Sequence, residues 1–322
     1  MAASGEHVKA LVRSHAAGDD AAFYSVALQV AAQAARRGHN QLAGELKRTI
    51  ESSRSEPVAR KVTAIARPRG DLKDLVTATY PDAGIEDLVG PLELIGQIRQ
   101  VLAEQRQRRN LLAHGYAPVH RLLLDGPPGT GKTFTASVLA HELSLPLLTI
   151  RLDALVSRYL GETAGKLRTV FDAVIEQRAV YLFDEFDALG GDRSGNDVGE
   201  ARRILNSFLV FLEEATSESL VVAATNHRDI LDKALFRRFD MLITYQLPND
   251  TQATNVLRRR LGSMGKEIDW SALNLGGQNL SHAELVKAAE AAAKAALMNG
   301  QALVGQQLLA DAIRARRAVN SD

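Results

Sequence analysis

The chain contains no cysteine, which excludes disulfides and thiol catalysis but says little about compartment by itself. It also lacks a dominant charge: 39 basic and 38 acidic residues leave a formal net charge of +1, so nothing suggests a nucleic-acid or membrane surface over the whole molecule. No apolar run approaches the roughly 20 residues a spanning helix needs. The N-terminus Met-Ala-Ala-Ser-Gly-Glu-His has no basic region followed by an apolar core, and the expectation is a cytoplasmic protein without membrane association. His141-Glu142 opens like the zinc-protease motif H-E-x-x-H, but the second histidine is absent, and no Ser/His/Asp pattern suggests another protease centre. No second phosphate loop and no internal repeat is found.

What is present is organised around Gly126-Pro127-Pro128-Gly129-Thr130-Gly131-Lys132-Thr133, which fits the phosphate-binding pattern G-x-x-x-x-G-K-[ST]. The apolar run Leu122-Leu123-Leu124 before it reads as a buried strand, and Phe134 to Leu143 after it reads as a helix. Such a loop lets successive N–H groups face a phosphate at a helix N-terminus. Lys132 would neutralise the β- and γ-phosphates, and the Thr133 hydroxyl would ligate Mg²⁺.

With 322 residues, 46% of them hydrophobic, the chain suits about two domains plus an appendage. Residues 1–53 read as a small helical unit: Phe23, Val26, Ala27, Val30, Ala31 and Ala34 recur at helical spacing, flanked by helices near Val8 to Ala16 and around Leu42, Leu46 and Ile50. Recruitment of a substrate or adaptor and plain packing fit this unit equally. Residues 54–79 read as a basic flexible linker interrupted by Pro57, Pro68 and Gly70. A solvated connector is favoured over nucleic-acid binding, because its basic part, residues 54–73, has no aromatic residue for base stacking. An ATPase domain is expected over 80–248, with a helix from Pro91 to Arg108 and with Glu86 to Gly90 folding over the base, and a helical lid over 249–322.

Further along, Ala179 to Phe183 forms a strand pattern ending in Asp184-Glu185, the Walker B arrangement, in which Asp184 sits beside the metal and Glu185 polarises the attacking water. Leu220 to Thr225 is another strand, whose tip Asn226 would face the γ-phosphate. Arg237 and Arg238 have no obvious acidic partner except Asp240. From the residues alone, a trans-acting pair of cations and a surface ion pair stand level. In the lid, Ser281-His282-Ala283-Glu284 is a capping box opening a helix to Met298, closed by Asn299-Gly300.

Taken in this order, the phosphate loop, the Asp184-Glu185 pair, the Ala-Thr-Asn tip and Arg237-Arg238-Phe239-Asp240 resemble the AAA ATPase module of the clade containing katanin, spastin, valosin-containing protein and the FtsH protease. The resemblance covers roughly Pro81 to the C-terminus. It implies an α/β P-loop NTPase fold, with a parallel sheet sandwiched by helices, a helical lid after it and the small helical unit before it. Nucleotide contacts then fall to Gly129, Thr130, Gly131, Lys132, Thr133, Phe134, Asp184 and His282, and metal contacts to Thr133 and Asp184. Catalytic roles fall to Glu185, Asn226, Arg238 and Arg237; Met241 stands where relatives with Gly-Arg-Phe-Asp-Arg carry a second arginine. His282 replaces a glycine of the clade and reads either as a base or ribose contact or as a surface histidine. Tyr159 and Leu160 match the central-pore loop, with a core aromatic as the alternative for Tyr159, and Gly190 to Asn196 stands where the clade has a second pore loop. The implied activity is Mg²⁺-dependent hydrolysis of ATP in a homo-oligomeric ring, expected to be a hexamer, that remodels a protein partner and serves a separate protease. Alternatives are an ATP-dependent nucleic-acid machine or a nucleotide-controlled scaffold.

Overall fold

The chain divides into two compact units, Met1–Ala64 and Ile65–Asp322. The computed structural model describes residues 9, 26–33, 43–44, 70–155, 160–189, 198–215, 217–228, 233–273 and 280–320. In the first unit, residues 26–33 are helical with Ala31 buried, within the span where the periodicity puts a helix. Most of the two flanking helices expected there, and the basic stretch through residue 69, lie outside the described residues.

The second unit begins with a six-stranded sheet: β1 (Val76–Thr79), β2 (Arg121–Asp125), β3 (Leu147–Ile150), β4 (Val180–Phe183), β5 (Leu220–Thr225) and β6 (Met241–Thr244). Their order is β1-β3-β4-β5-β2-β6. All pairs are parallel except β1, which runs antiparallel to β3. Connecting segments carry α1 (Leu72–Leu75), α2 (Leu92–Arg106), α3 (Arg108–Ala113), α4 (Lys132–Leu143), α5 (Leu152–Leu155), α6 (Leu160–Glu176), α7 (Val198–Glu214) and α8 (Lys233–Phe236).

Strands covered on both faces must be apolar on both faces, which explains the continuous apolar runs. Leu123, Tyr181, Phe183, Val221 and Ala223 face one core, which α6 and α7 cover through Leu167, Phe171, Phe208 and Leu212. Leu122, Leu124, Val180, Leu182, Val222 and Ala224 face the other, covered by α2 and α4 through Ile98, Val101 and Leu139. The first core is rich in aromatics: Phe208 packs edge-on to Phe183 and Phe171, at centroid distances of 5.0 and 5.4 Å.

Two expectations shift. Residues 72–79, read as the end of the linker, form α1 and β1 because Leu75 and Val76, 3% and 4% exposed, bury against the sheet edge while Lys73 and Asp74 stay in solvent. The single helix expected over 91–108 breaks at Gln107 into α2 and α3.

Among the described residues, β6 is followed by helices and no further strand: α9 (Asp250–Leu261), α10 (His282–Met298) and α11 (Gln306–Asn320). They enclose their own core around Leu257, Leu285, Ala289, Leu309 and Ile313. Both α9 and α10 open on reciprocal capping boxes, Asn249 with Gln252 and Ser281 with Glu284. Among the described residues no helix is long and apolar enough to cross a membrane.

Candidate nucleotide site

In an open parallel sheet, ligands bind beyond the C-terminal ends of the strands. Because β5 lies between β2 and β4, the phosphate loop after β2, Asp184-Glu185 after β4 and Asn226 after β5 meet at that one edge. Gly126 and Gly129 take φ of 140° and 72°, and neither has room for a side chain. A Cβ on Gly126 would lie 2.4 Å from the Tyr245 carbonyl oxygen, and one on Gly129 would lie 2.6 Å from Ser281 Oγ. The loop is thus threaded between the end of β6 and the first turn of α10.

Lys132 is 6% exposed, and its ammonium donates to the carbonyls of Gly126 and Pro127 at 2.7 and 2.8 Å. Burial lowers its pKa, opposed by the carboxylates of Asp184, Asp125 and Asp187. Thr130 Oγ1 donates to the Pro127 carbonyl at 2.7 Å, bracing the turn. Thr133 Oγ1 donates to Asp184 Oδ2 at 2.7 Å, so a hydroxyl and a carboxylate already share one spot. That oxygen pair fits a hard divalent cation, and the glycine-shaped loop at the start of α4 fits a phosphate. Phe134, 38% exposed, follows on the first turn of that helix.

Glu185 adopts φ of 52°, a left-handed conformation unusual for a residue with a side chain, and is exposed. The neighbouring Asp187 was not singled out from the sequence. Its Oδ1 accepts from Thr225 Oγ1 at 2.9 Å and from the Asn226 N–H at 3.2 Å, tying the end of β5 to the turn after β4. The legible signal was its place two residues after Glu185.

The lid meets the loop directly. The Ala283 N–H donates to the Gly129 carbonyl at 3.0 Å, and Val89 packs against the lid core. The Ile85–Asp87 turn is held from two sides: the Ile85 N–H donates to Glu142 Oε1 at 3.1 Å, and Asp87 lies 3.7 Å from Arg259 of α9. Glu142 also pairs with Arg106 at 2.7 Å, and His141 Nδ1 contacts the Pro81 carbonyl at 3.0 Å. The dipeptide that opened like a zinc motif thus clamps the segment over the seam between sheet and lid. His282 is partly buried in that seam; burial lowers its pKa, opposed by the Val89 backbone. Neither of its ring nitrogens makes a well-formed hydrogen bond.

The arginines lie elsewhere. Asp240, the one partner the sequence offered them, is taken by Arg121 at 2.6 Å, by His120 at 3.1 Å, and by the backbone N–H groups of both. Arg238 pairs instead with Glu213 near the end of α7, and Arg237 is exposed. The Asp240 N–H donates to the Arg121 carbonyl at 2.9 Å, at the start of β2, whereas the phosphate loop leaves its end. Four steps of about 3.3 Å put roughly 13 Å of strand between them. Tyr159 and residues 190–196 lie outside the described residues; Leu160 begins α6.

Comparison with known proteins points one way. The model of the "ATPase family associated with various cellular activities (AAA)" matches residues 122–247. The "Uncharacterized AAA family ATPase y4kL" of Sinorhizobium fredii is 30% identical over 299 residues, 92% of this chain and 90% of that protein. The "Proteasome-activating nucleotidase" of Methanoregula boonei is 35% identical over 187 residues, 55% of this chain and 43% of that one. "ATP-dependent zinc metalloprotease FtsH 3" of Phytoplasma mali is 30% identical over 263 residues, 78% of this chain but 44% of its own length. The chain thus spans less than half of each of the last two proteins.

Proposed function

Because this chain belongs to the AAA family of ATPases and hydrolyses ATP, we propose that it does so at a site shared between neighbouring copies and uses the cycle to remodel a protein partner. The observation that carries the shared site is that Asp240, two residues after Arg238, bonds to the start of β2, at the opposite end of that strand from the chain's own phosphate loop.

The loop N–H groups and Lys132 bind the β- and γ-phosphates, with Gly129, Thr130 and Gly131 shaping the cradle. Phe134 and His282 border the base and ribose, Phe134 from the first turn of α4 and His282 from the first turn of α10. Thr133 and Asp184 would hold Mg²⁺, which when bound neutralises charge on the phosphate oxygens. Glu185 takes the proton from water as its oxygen attacks the γ-phosphorus and the bond to the β–γ bridging oxygen breaks. Asn226, held by Asp187, orients that water. Arg238, with Arg237, reaches the γ-phosphate bound by the neighbour, where a fixed guanidinium stabilises the transition-state charge. Such a head-to-tail contact gives a ring where its rotation closes and a filament where it does not; the reading here is a closed ring, a hexamer.

The remodelling part draws on the resemblance of residues 158–162 to a central-pore loop, with Tyr159 and Leu160 gripping a polypeptide, and on relatives whose names join an ATPase to proteolysis. Any protease served would be a separate chain in the cytoplasm. The test is ATPase rate against protein concentration, with parallel sizing in a slowly hydrolysed ATP analogue, adding unfolded polypeptide or duplex DNA. A cooperative rise with assembly and stimulation by polypeptide is expected. A concentration-independent monomer rate defeats the shared site; stimulation by DNA alone, lost at moderate salt, favours the nucleic-acid machine.

A further inference from the structure

One side chain links the phosphate edge of the sheet to the segment that carries the arginines. Arg228 follows Asn226 by two residues, and its Nη1 lies 3.6 Å from Oδ2 of Asp125. Its guanidinium carbon also lies 5.0 Å from the centroid of the Phe236 ring. Asp125 is the last residue of β2 and immediately precedes the phosphate loop. Its side chain is 5% exposed, and Oδ1 accepts from Thr244 Oγ1 at 2.7 Å. Phe236 ends α8, immediately precedes Arg237 and packs against the core under α6 and α7. The backbone leading into Arg228 is braced too: the His227 N–H donates to Thr225 Oγ1 at 3.1 Å, and that hydroxyl donates to Asp187.

A side chain 48% exposed has no need of a fixed position, yet the Arg228 guanidinium lies between a carboxylate and a ring face. A carboxylate shielded from water attracts it more strongly than a surface one, and its flat guanidinium lies on a ring face as an ammonium cannot. We propose that Arg228 is a positioning residue for the trans-acting arginines: braced on Asp125, it holds Phe236 and so fixes the course of Arg237 and Arg238 between α8 and β6. This rests on the shared-site reading above.

Mixed assemblies test it. Full-length Arg228→Ala should bind a fluorescent ATP analogue as the natural chain does but lose at least about tenfold of its assembly-dependent turnover, as a misplaced group would. Its own phosphate loop and Glu185 remain intact, so mixing it with Glu185→Gln chains, which supply natural arginines but no turnover, should restore hydrolysis. Arg238→Ala should be restored in the same mixture. Phe236→Leu, which keeps an apolar side chain in the core, should follow Arg228→Ala with a smaller loss, and Arg228→Lys should recover part of it. Undiminished turnover by Arg228→Ala alone overturns the proposal. So does a mixture that restores Arg238→Ala but not Arg228→Ala, since Arg228 would then serve its own site. If neither is restored, the shared-site reading fails and this inference with it.

Discussion

Glu185 holds a backbone conformation that costs a non-glycine residue about 1–3 kcal/mol, of the kind that persists where function demands a particular aim. Glu185→Gln should therefore keep ATP bound while turnover falls by about a hundredfold or more, whereas Lys132→Ala should lose binding; a nucleotide titration beside a phosphate-release assay separates the two. Asp187 acts one step back. Asp187→Ala frees Thr225 and the Asn226 N–H, and kcat should fall by about tenfold with little change in KM for ATP, as expected of a group that places water. Asp240 offers a pH signature. Burial would raise its pKa, but hydrogen bonds from His120 and Arg121 outweigh that and hold it well below the usual carboxylate range. A depressed folded-state pKa stabilises above the unfolded value, about 3.9, and that stability is lost as pH falls below it. Acid unfolding of Asp240→Asn should show less of this pH dependence, read by circular dichroism between pH 6 and pH 2.

The seam between the phosphate loop and α10 is where two elements far apart in sequence touch. The cap of α10, Ser281, lies under Gly129, and Ala283 in the first turn donates to the Gly129 carbonyl. Gly129→Ala demands a strained φ and a Cβ where Ser281 Oγ already lies, so both melting temperature and nucleotide affinity should fall. Ser281→Ala leaves the loop its space and removes only the cap, a loss of about 1 kcal/mol seen in thermal melts, with nucleotide affinity changed less than by Gly129→Ala. Equal effects of both changes on affinity would mean that the seam matters only as a cap. The capping box itself was legible, because Ser281 and Glu284 are local in sequence. That its helix would abut the loop some 150 residues earlier in the chain was not.

At the scale of the whole molecule, the proposed shared site makes the state of Arg238 in the free chain a testable quantity. Its partner Glu213 belongs to the same chain, and both side chains are more than a third exposed, so the pair is worth no more than about 1 kcal/mol. Glu213→Gln should raise assembly-dependent turnover by up to about fivefold without changing the rate of dilute protein. Arg238→Ala should remove the concentration dependence altogether. Measuring both across the same dilution series distinguishes an arginine restrained in the free chain from one that Glu213 aligns, for which turnover would drop.

The sequence by itself determined the strands that carry the site, β2, β4 and β5, the phosphate loop, the Asp184-Glu185 pair, the Asn226 tip and the Ser281 capping box, because each is written in neighbouring residues whose spacing or chemistry is local. Tertiary structure decided what depends on strand order and on distant partners. It put β5 between β2 and β4, and recruited Leu75 and Val76 of the supposed linker as a sheet edge. It gave Asp240 to Arg121 and His120, leaving Arg238 to Glu213. It also joined Asp125 to Arg228 across about a hundred residues. Such pairings follow from which apolar faces bury one another, and a charge then pairs with whichever opposite charge the packing leaves beside it, wherever that residue stands in the chain.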